Sequence, residues 1–334
     1  MSVSIDDIEA AARTIAGHVV ATPTVESAAL SDAAGTDLRL KLENLQHTGS
    51  FKARGALNKL SALSPASTPG IVACSAGNHA QGVAFFAARL GFSATIVMPR
   101  GTPFTKVERT EALGAAVILE GDTLAETEAF TLGLADREGL VFVHPYDDPL
   151  IIAGQGTIGL EMLDAAPDLD AVVVPIGGGG LIAGIATAMK ARRPDIAIFG
   201  VEAALYPSMS DTLRGRAPSS GGTTLAEGIA VKNPGRITRP IIDALVDEII
   251  LLDEAAIENA VELMAVSGRL VVEGAGATAL GAVLARPDLF AGHKTGLVIS
   301  GGNIDMRLLA TVLLRGLVRG GQMMQNGVEI ADVP

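Results

Sequence analysis

Short apolar runs recur along this 334-residue chain, and most are followed by a glycine- or serine-containing turn and then a segment with helical spacing. The runs are LRLKLE (38–43), IVAC (71–74), ATIVMP (94–99), AVILE (116–120), LVFVH (140–144), AVVVPI (171–176), IAIFGVE (196–202), EIILLD (248–253) and TGLVIS (295–300). Strands buried on both faces read as continuous apolar runs, so the alternation predicts a parallel α/β fold with helices on both sheet faces. Ahead of the first run, Ile5, Ile8, Ala12 and Ile15 repeat at helical spacing, with Ser4 placed to cap them. No short-period repeat or low-complexity linker interrupts the pattern; the softest segment is RGRAPSSGGTTLAEG (214–228). Ligands of parallel α/β sheets collect at the carboxyl ends of strands, so the polar turns after the runs are where chemistry is to be sought.

Composition narrows the partners. With 49% apolar residues, the chain can bury a core large enough for two domains or one large one. A formal charge of -12 repels nucleic acid and anionic membranes and points to a small-molecule partner. The densest basic cluster, KARRP (190–194), reads as a solvated helix end. The single cysteine, Cys74, has no partner for an internal disulfide, and the acidic N-terminus MSVSIDDIEAAARTI is no signal peptide, so a reducing, cytoplasmic setting is expected. The apolar run LLATVLLRGLVRG (308–320) is short and carries arginines, and no membrane span is expected.

Several turns carry residues with chemistry. In GSFKARGA, Ser50 is placed as a helix cap before an apolar stripe of Phe51, Ala56, Leu57 and Leu60. Lys52 then falls in the first helical turn, where the positive end of the macrodipole disfavours an ammonium. The loop Gly177 to Gly180, within GGGGLIAG, lies between a strand and a helix. Bare glycine backbone and a helix N-terminus favour a phosphate cradle. The same loop fits G-x-G-x-x-A through Gly178, Gly180 and Ala183, with Glu202 about twenty residues on, the dinucleotide pattern of a nicotinamide oxidoreductase. That second reading leaves Lys52 unexplained. In SAGNHAQG, Ser75 can cap and the following amides suit a carboxylate, while Asn78 and His79 read equally well as local turn residues. From the residues alone, Ser300 of SGGN is better read as the cap of the helix DMRLLATVL, Glu273 as a helix-entry acid, and Cys74 as a buried thiol. The histidines at 18, 47, 79, 144 and 293 show no paired ligand spacing, and there is no G-x-S-x-G elbow; His144 beside Pro145 reads as structural.

Taken in order, GSFKARGA, SAGNHAQG, AGQGTIGLEM, PIGGGGLIAG, VEGAGATAL and SGGN resemble the threonine ammonia-lyase (threonine dehydratase) and serine racemase group of fold-type II pyridoxal-phosphate enzymes, from about residue 5 to about residue 310. The resemblance implies a tryptophan synthase β-like α/β fold, two open, parallel-rich twisted sheets flanked by helices. It implies a discontinuous large domain, 1–60 with 148–334, and a small domain, 61–147. It implies pyridoxal 5′-phosphate as cofactor, with Lys52 as the Schiff-base lysine, whose place at a helix start helps the neutral amine to condense with an aldehyde. By the same resemblance Phe51 packs by the ring, and Gly177, Gly178, Gly179, Gly180 and Leu181 hold the phosphate. Asn78 bonds the 3′-hydroxyl, and Ser300 faces the pyridine nitrogen. Ser75, Ala76, Gly77, Asn78 and His79 bind the substrate carboxylate, and Gly228 and Glu273 match further positions near the cofactor. A serine beside the ring nitrogen makes the ring a weaker electron sink, which favours expulsion of a β-substituent.

Two departures narrow this expectation. Racemases of the group carry a second serine where Ala76 stands, and alanine cannot move that proton. The group's divalent-metal site draws on a glutamate matching Glu202 and an aspartate where Ser208 stands, which leaves a cation there open. HPYDDPLIIAGQGTIGLEM looks most like the threonine ammonia-lyases. The expected reaction is dehydration and deamination of a β-hydroxy amino acid: L-threonine to 2-oxobutanoate and ammonia, and L-serine to pyruvate and ammonia. Hydroxyaspartate dehydratase and serine racemase are the alternatives of the same fold, the former needing a cation that Arg54 does not clearly supply. A nicotinamide oxidoreductase is the alternative of another class, and intact Lys52 speaks against an inactive amino-acid-binding relative. The resemblance also implies a homo-oligomer, dimer or tetramer. About thirty residues follow SGGNID, too few for the regulatory domain of many biosynthetic threonine dehydratases, so isoleucine feedback through such a domain is not expected.

Overall fold

All nine apolar runs become strands in the computed structural model, which describes residues 3–319. They are β2 (Asp37–Lys41), β3 (Ile71–Cys74), β4 (Ala94–Met98), β5 (Ala116–Leu119), β6 (Val141–Phe142), β7 (Ala171–Pro175), β8 (Ala197–Ala203), β9 (Glu248–Leu252) and β10 (Lys294–Val298). A further strand, β1 (Thr24–Glu26), precedes them. Six strands form one sheet in the order β1-β2-β10-β7-β8-β9, and four form a second, β5-β4-β3-β6. Every pairing is parallel except β1 with β2. The end of the run 308–320 and the last residues of the expected large domain, 320–334, lie outside the described residues, as do residues 1–2.

The helices are α1 (Ile5–Ile15), α2 (Ala28–Ala34), α3 (Lys52–Ser61), α4 (Asn78–Leu90), α5 (Phe104–Glu111), α6 (Leu124–Glu138), α7 (Pro149–Ala165) and α8 (Gly180–Arg192). After them come α9 (Ser208–Leu213), α10 (Thr238–Leu245), α11 (Glu254–Val266), α12 (Gly274–Ala285), α13 (Pro287–Phe290) and α14 (Met306–Arg319). None of the described helices is long and apolar enough to cross a membrane. Alternation along β7 shows how the large sheet is covered. Val173 packs with Val261, Leu280 and Val283 of α11 and α12, whereas Val172 and Val174 pack with Ile158, Ile182 and Ile242 of α7, α8 and α10. On the small sheet, Ile71, Ala73 and Ile96 meet Leu57, Val83 and Phe86 of α3 and α4, and Val72 and Val97 face Leu134 of α6.

Ser4 caps α1 as expected, in a reciprocal capping box with Asp7. Three other serines do not cap. The Ser50 hydroxyl is buried without a hydrogen-bond partner, because its residue pairs in an isolated bridge with Gly301 and Phe51 stands at the N-cap. The Ser75 hydroxyl accepts the Gly77 N–H at 3.2 Å, a turn before α4 rather than a cap on it. Ser300 lies too far upstream for α14, which is capped by Asp305 through the N–H of Arg307 at 2.7 Å. KARRP is a helix end as expected, with Lys190 on Asp247 and Arg192 on Glu9 and Asp164.

Bare backbone fixes where α3 sits. A Cβ at Gly82 of α4 would lie 3.2 Å from the carbonyl carbon of Lys52, and one at Gly154 of α7 would lie 2.7 Å from the Cα of Gly55. α3 is thus clamped between α4 and α7, with Lys52 at its first turn. Its underside carries Arg54, fully buried, whose guanidinium meets Glu43 and Glu161; Lys41 also bonds Glu161.

Candidate active site

The turns after β2, β3, β6, β7 and β10 converge at the carboxyl ends of both sheets. Lys52 donates from its amine to the Pro145 carbonyl at 2.7 Å and lies 5.1 Å from the centroid of the Phe51 ring. Burial lowers the lysine to about 8, against an opposing pull from the Glu273 carboxylate. Burial is thus a cause of the neutral amine that the sequence did not suggest. Around it the histidines are neutral and structural. His79, pushed down to about 3 by burial and then by Lys52, uses Nε2 on the Val143 carbonyl at 2.8 Å. His144 accepts through Nδ1 from the N–H of Tyr146 at 3.2 Å and of Asp147 at 2.8 Å.

The loop Gly177–Gly180 enters α8 through Gly179, whose φ of 94° is a left-handed conformation suited to glycine. The Gly178 carbonyl accepts from the Thr238 hydroxyl at 2.7 Å and from the Gly235 N–H at 3.1 Å. A Cβ at Gly178 would stand 2.2 Å from the Tyr146 ring, and one at Gly180 would stand 2.8 Å from the Tyr146 carbonyl. The loop therefore has no room for a side chain at Gly178 or Gly180. The Leu181 side chain lies in the core, which leaves only its backbone for a ligand.

The Asn78 amide donates through Nδ2 to Glu273 at 2.7 Å. Glu273 thus stands at the N-cap of α12, the helix entry expected, but its side chain makes no cap hydrogen bond; burial raises its carboxyl to about 7, with the Asn78 bond pulling the other way. Gly228 lies against it, since a Cβ there would be 3.5 Å from Glu273 Oε1. The Ser300 carbonyl accepts the Phe51 N–H at 3.1 Å, so the SGGN segment runs beside the lysine loop. At the start of α4 the Ser75 N–H is committed to Val97 and the Gly77 N–H to the Ser75 hydroxyl. Asn78 and His79 begin that helix with no side-chain cap, so their N–H groups remain suited to an anion, while Ala76 packs against the small-sheet core. Cys74 is a buried thiol, pushed up to about 12 by burial.

Glu202, where the resemblance left a divalent cation open, is engaged by backbone. Its buried carboxylate takes the N–H of Met209 at 2.8 Å and of Ser210 at 3.0 Å, and Ser208 gives its hydroxyl to the Val231 carbonyl at 2.7 Å. No group of three His, Cys, Asp or Glu side chains suited to a metal occurs among the described residues. Three participants escaped sequence reasoning: the Pro145 carbonyl, the Tyr146 ring and Asn303. The HPYDDP string was legible only as part of a resemblance, because what it offers is a carbonyl and a ring face rather than a titratable group.

A buried primary amine with a depressed pKa beside a glycine cradle at a helix N-terminus is a donor set suited to an aldehyde that carries a phosphate. A sequence profile described as pyridoxal-phosphate dependent enzyme matches residues 15–301. The chain belongs to this family. The L-threonine ammonia-lyase of Thermotoga maritima is 45% identical over 99% of this chain and 83% of its own length. The catabolic L-threonine dehydratase TdcB of Escherichia coli K12 is 44% identical over 93% and 96%. Among solved structures, the processed form of threonine deaminase isoform 2 from Solanum lycopersicum superposes with a TM-score of 0.86 at 37% identity, covering 92% of this chain and 91% of that one. Maize serine racemase gives 0.88 at 33% identity, covering 96% and 100%. The two parallel-rich sheets are the fold-type II arrangement of pyridoxal-phosphate enzymes. Membership of this family speaks against the nicotinamide reading of Gly178, Gly180 and Ala183.

Proposed function

We propose that this chain is an L-threonine ammonia-lyase that dehydrates and deaminates L-threonine to 2-oxobutanoate and ammonia, with L-serine as a second substrate. The observation that carries the reading is near-full-length identity of 44–45% to enzymes named for that activity. Pyridoxal phosphate, when bound, supplies the electron sink that acidifies the substrate Cα–H. Lys52 holds the cofactor and, once freed from it, takes the Cα proton as the neutral amine, a form that burial favours by lowering it to about 8. Gly177, Gly178, Gly179, Gly180 and Leu181 hold the phosphate through their backbone, Asn78 serves the 3′-hydroxyl, Ser300 the ring nitrogen, and Phe51 the ring edge. The uncapped start of α4 takes the substrate carboxylate. Ala76 offers no proton for the face opposite Lys52, which favours elimination over racemisation.

Hydroxyaspartate ranks below threonine because Arg54, the arginine inside the site motifs, is bound on its buried side by Glu43 and Glu161. We also assign 61–147, which contains β3 to β6, as the small domain, and 1–60 with 148–334 as the large one. A cytoplasmic homo-oligomer, dimer or tetramer, completes the reading. Ketoacid release by the purified holoenzyme tests it. L-Threonine should give 2-oxobutanoate with the highest kcat/KM, and L-serine should give pyruvate more slowly. Oxaloacetate from 3-hydroxyaspartate at about tenfold higher kcat/KM would replace the assignment.

A further inference from the structure

Asn303 closes the SGGN segment, and its Nδ2 lies 2.7 Å from the Thr48 carbonyl and 2.8 Å from Asn78 Oδ1. A carbonyl only accepts, so the end of the Asn303 amide that meets Thr48 is the nitrogen. Its two hydrogens are then used, one on each oxygen. The Asn78 atom that faces Asn303 must be oxygen, and the one that faces Glu273, at 2.7 Å, is nitrogen. Turning the Asn78 amide over would set two NH2 groups against each other. The anchor is itself built into the backbone. Thr48 has a φ of 59°, uncommon for a β-branched residue. Gly49 follows at 72°, and a Cβ on it would lie 2.8 Å from Asn303 Oδ1. The Gly302 N–H donates to the Gly49 carbonyl at 2.9 Å and holds the two segments in register.

We propose that Asn303, anchored on the Thr48 carbonyl, is a positioning residue that dictates which end of the Asn78 amide serves the cofactor: the nitrogen, as a donor. One Nδ2 hydrogen of Asn78 is taken by Glu273 and the other is left for the site. The inference rests on the assignment of Asn78 to the 3′-hydroxyl made above. A ring hydroxyl that has lost its proton needs a donor, and a reversed Asn78 would present an oxygen to it.

Asn303→Asp puts an acceptor where Asn78 now meets a donor, and so favours the reversed amide; Asn303→Ala removes the constraint without reversing it. Dissociation constants for pyridoxal phosphate, and for its analogue with hydrogen in place of the 3′-hydroxyl, are measured on the full chain freed of cofactor. Wild type should prefer the natural cofactor by about tenfold or more, the strength of a hydrogen bond to a charged group. That preference should fall to about onefold in Asn303→Asp and to an intermediate value in Asn303→Ala, with affinity for the analogue moved by less than about threefold. Equal weakening of both ligands, with the preference kept, is what a merely structural role predicts, and it would overturn the proposal. A wild type that fails to discriminate would place the fault in the Asn78 assignment and withdraw the proposal with it. Should Asn303→Asp fail to fold, as read by thermal melting, Asn303→Ala still decides: a preference unchanged from wild type overturns the proposal.

Discussion

Arg54 and Glu43 face each other as a bidentate pair, both N–H···O distances at 2.8 Å and neither side chain exposed. Arg54→Ala would leave Glu43 charged in the interior, a loss of about 3–5 kcal/mol, which denaturant unfolding of the holoenzyme would read. Arg54→Lys is expected to recover only part of it, because an ammonium cannot reproduce the fork. A variant within about 1 kcal/mol of wild type would show that the cluster contributes little to stability.

The lysine assignment has a pH signature. With the amine at about 8, Lys52 is protonated and unreactive below that pH and neutral above it. In the cofactor-free chain, its modification by an amine-directed reagent should rise about tenfold per pH unit and level off near 8, whereas ordinary lysines go on rising to about 10.4. Glu273→Gln removes the opposing charge and should move the plateau lower. Borohydride reduction of the holoenzyme should label Lys52, and Lys52→Ala should abolish ketoacid release. A label on another lysine defeats the assignment.

Gly179→Val should lose cofactor strongly, by about a hundredfold in equilibrium dialysis. The new side chain would begin 2.7 Å from Ile242 and 2.8 Å from Thr238, at a φ of +94°. Gly177→Ala is the milder companion, with its nearest neighbour at 3.1 Å. It should keep the melting temperature within a few degrees and still weaken cofactor binding. Unchanged affinity in both variants would sink the cradle.

Incubation with L-serine should yield pyruvate, with D-serine below about a hundredth of it. Ala76 lacks a transferable proton, and the neighbouring imidazole of His79 is committed to Val143 at 2.8 Å. Chiral chromatography of the reaction mixture decides the matter, and comparable amounts of the two products would make racemase the better name.

Nine strands and the lysine helix were legible because each carries its own local signal: an apolar run, a turn or a periodic stripe. β1 was not, since Thr24–Glu26 is three residues long with one apolar side chain between polar ones, and its place is set by β2. Ser50 and Ser75 had cap spacing, but backbone pairing or a turn claimed them first, and Ser300 is upstream of Asp305, which takes the cap of α14. Glu273 is the helix-entry acid it reads as, but its bond to Asn78 was hidden because the two are distant in sequence. The Arg54 cluster was invisible for the same reason: a buried ion pair leaves no periodicity, and only the fold brings Glu43, Glu161 and Arg54 together.

The position of β10 between β2 and β7 has a consequence for synthesis of the chain. β2 cannot join the sheet, and the lysine loop cannot pair with Ser300 and Gly301, until residues 294–301 have left the ribosome. Lys52 is made early and yet gains its surroundings only after β10 has been made. Closing such a long loop is entropically costly and delays assembly. The small parallel sheet, complete by Phe142, can form while the rest is still being made. A nascent chain stalled before Lys294 should therefore carry a folded β3–β6 sheet and bind no cofactor, so that loading of the enzyme must wait for β10.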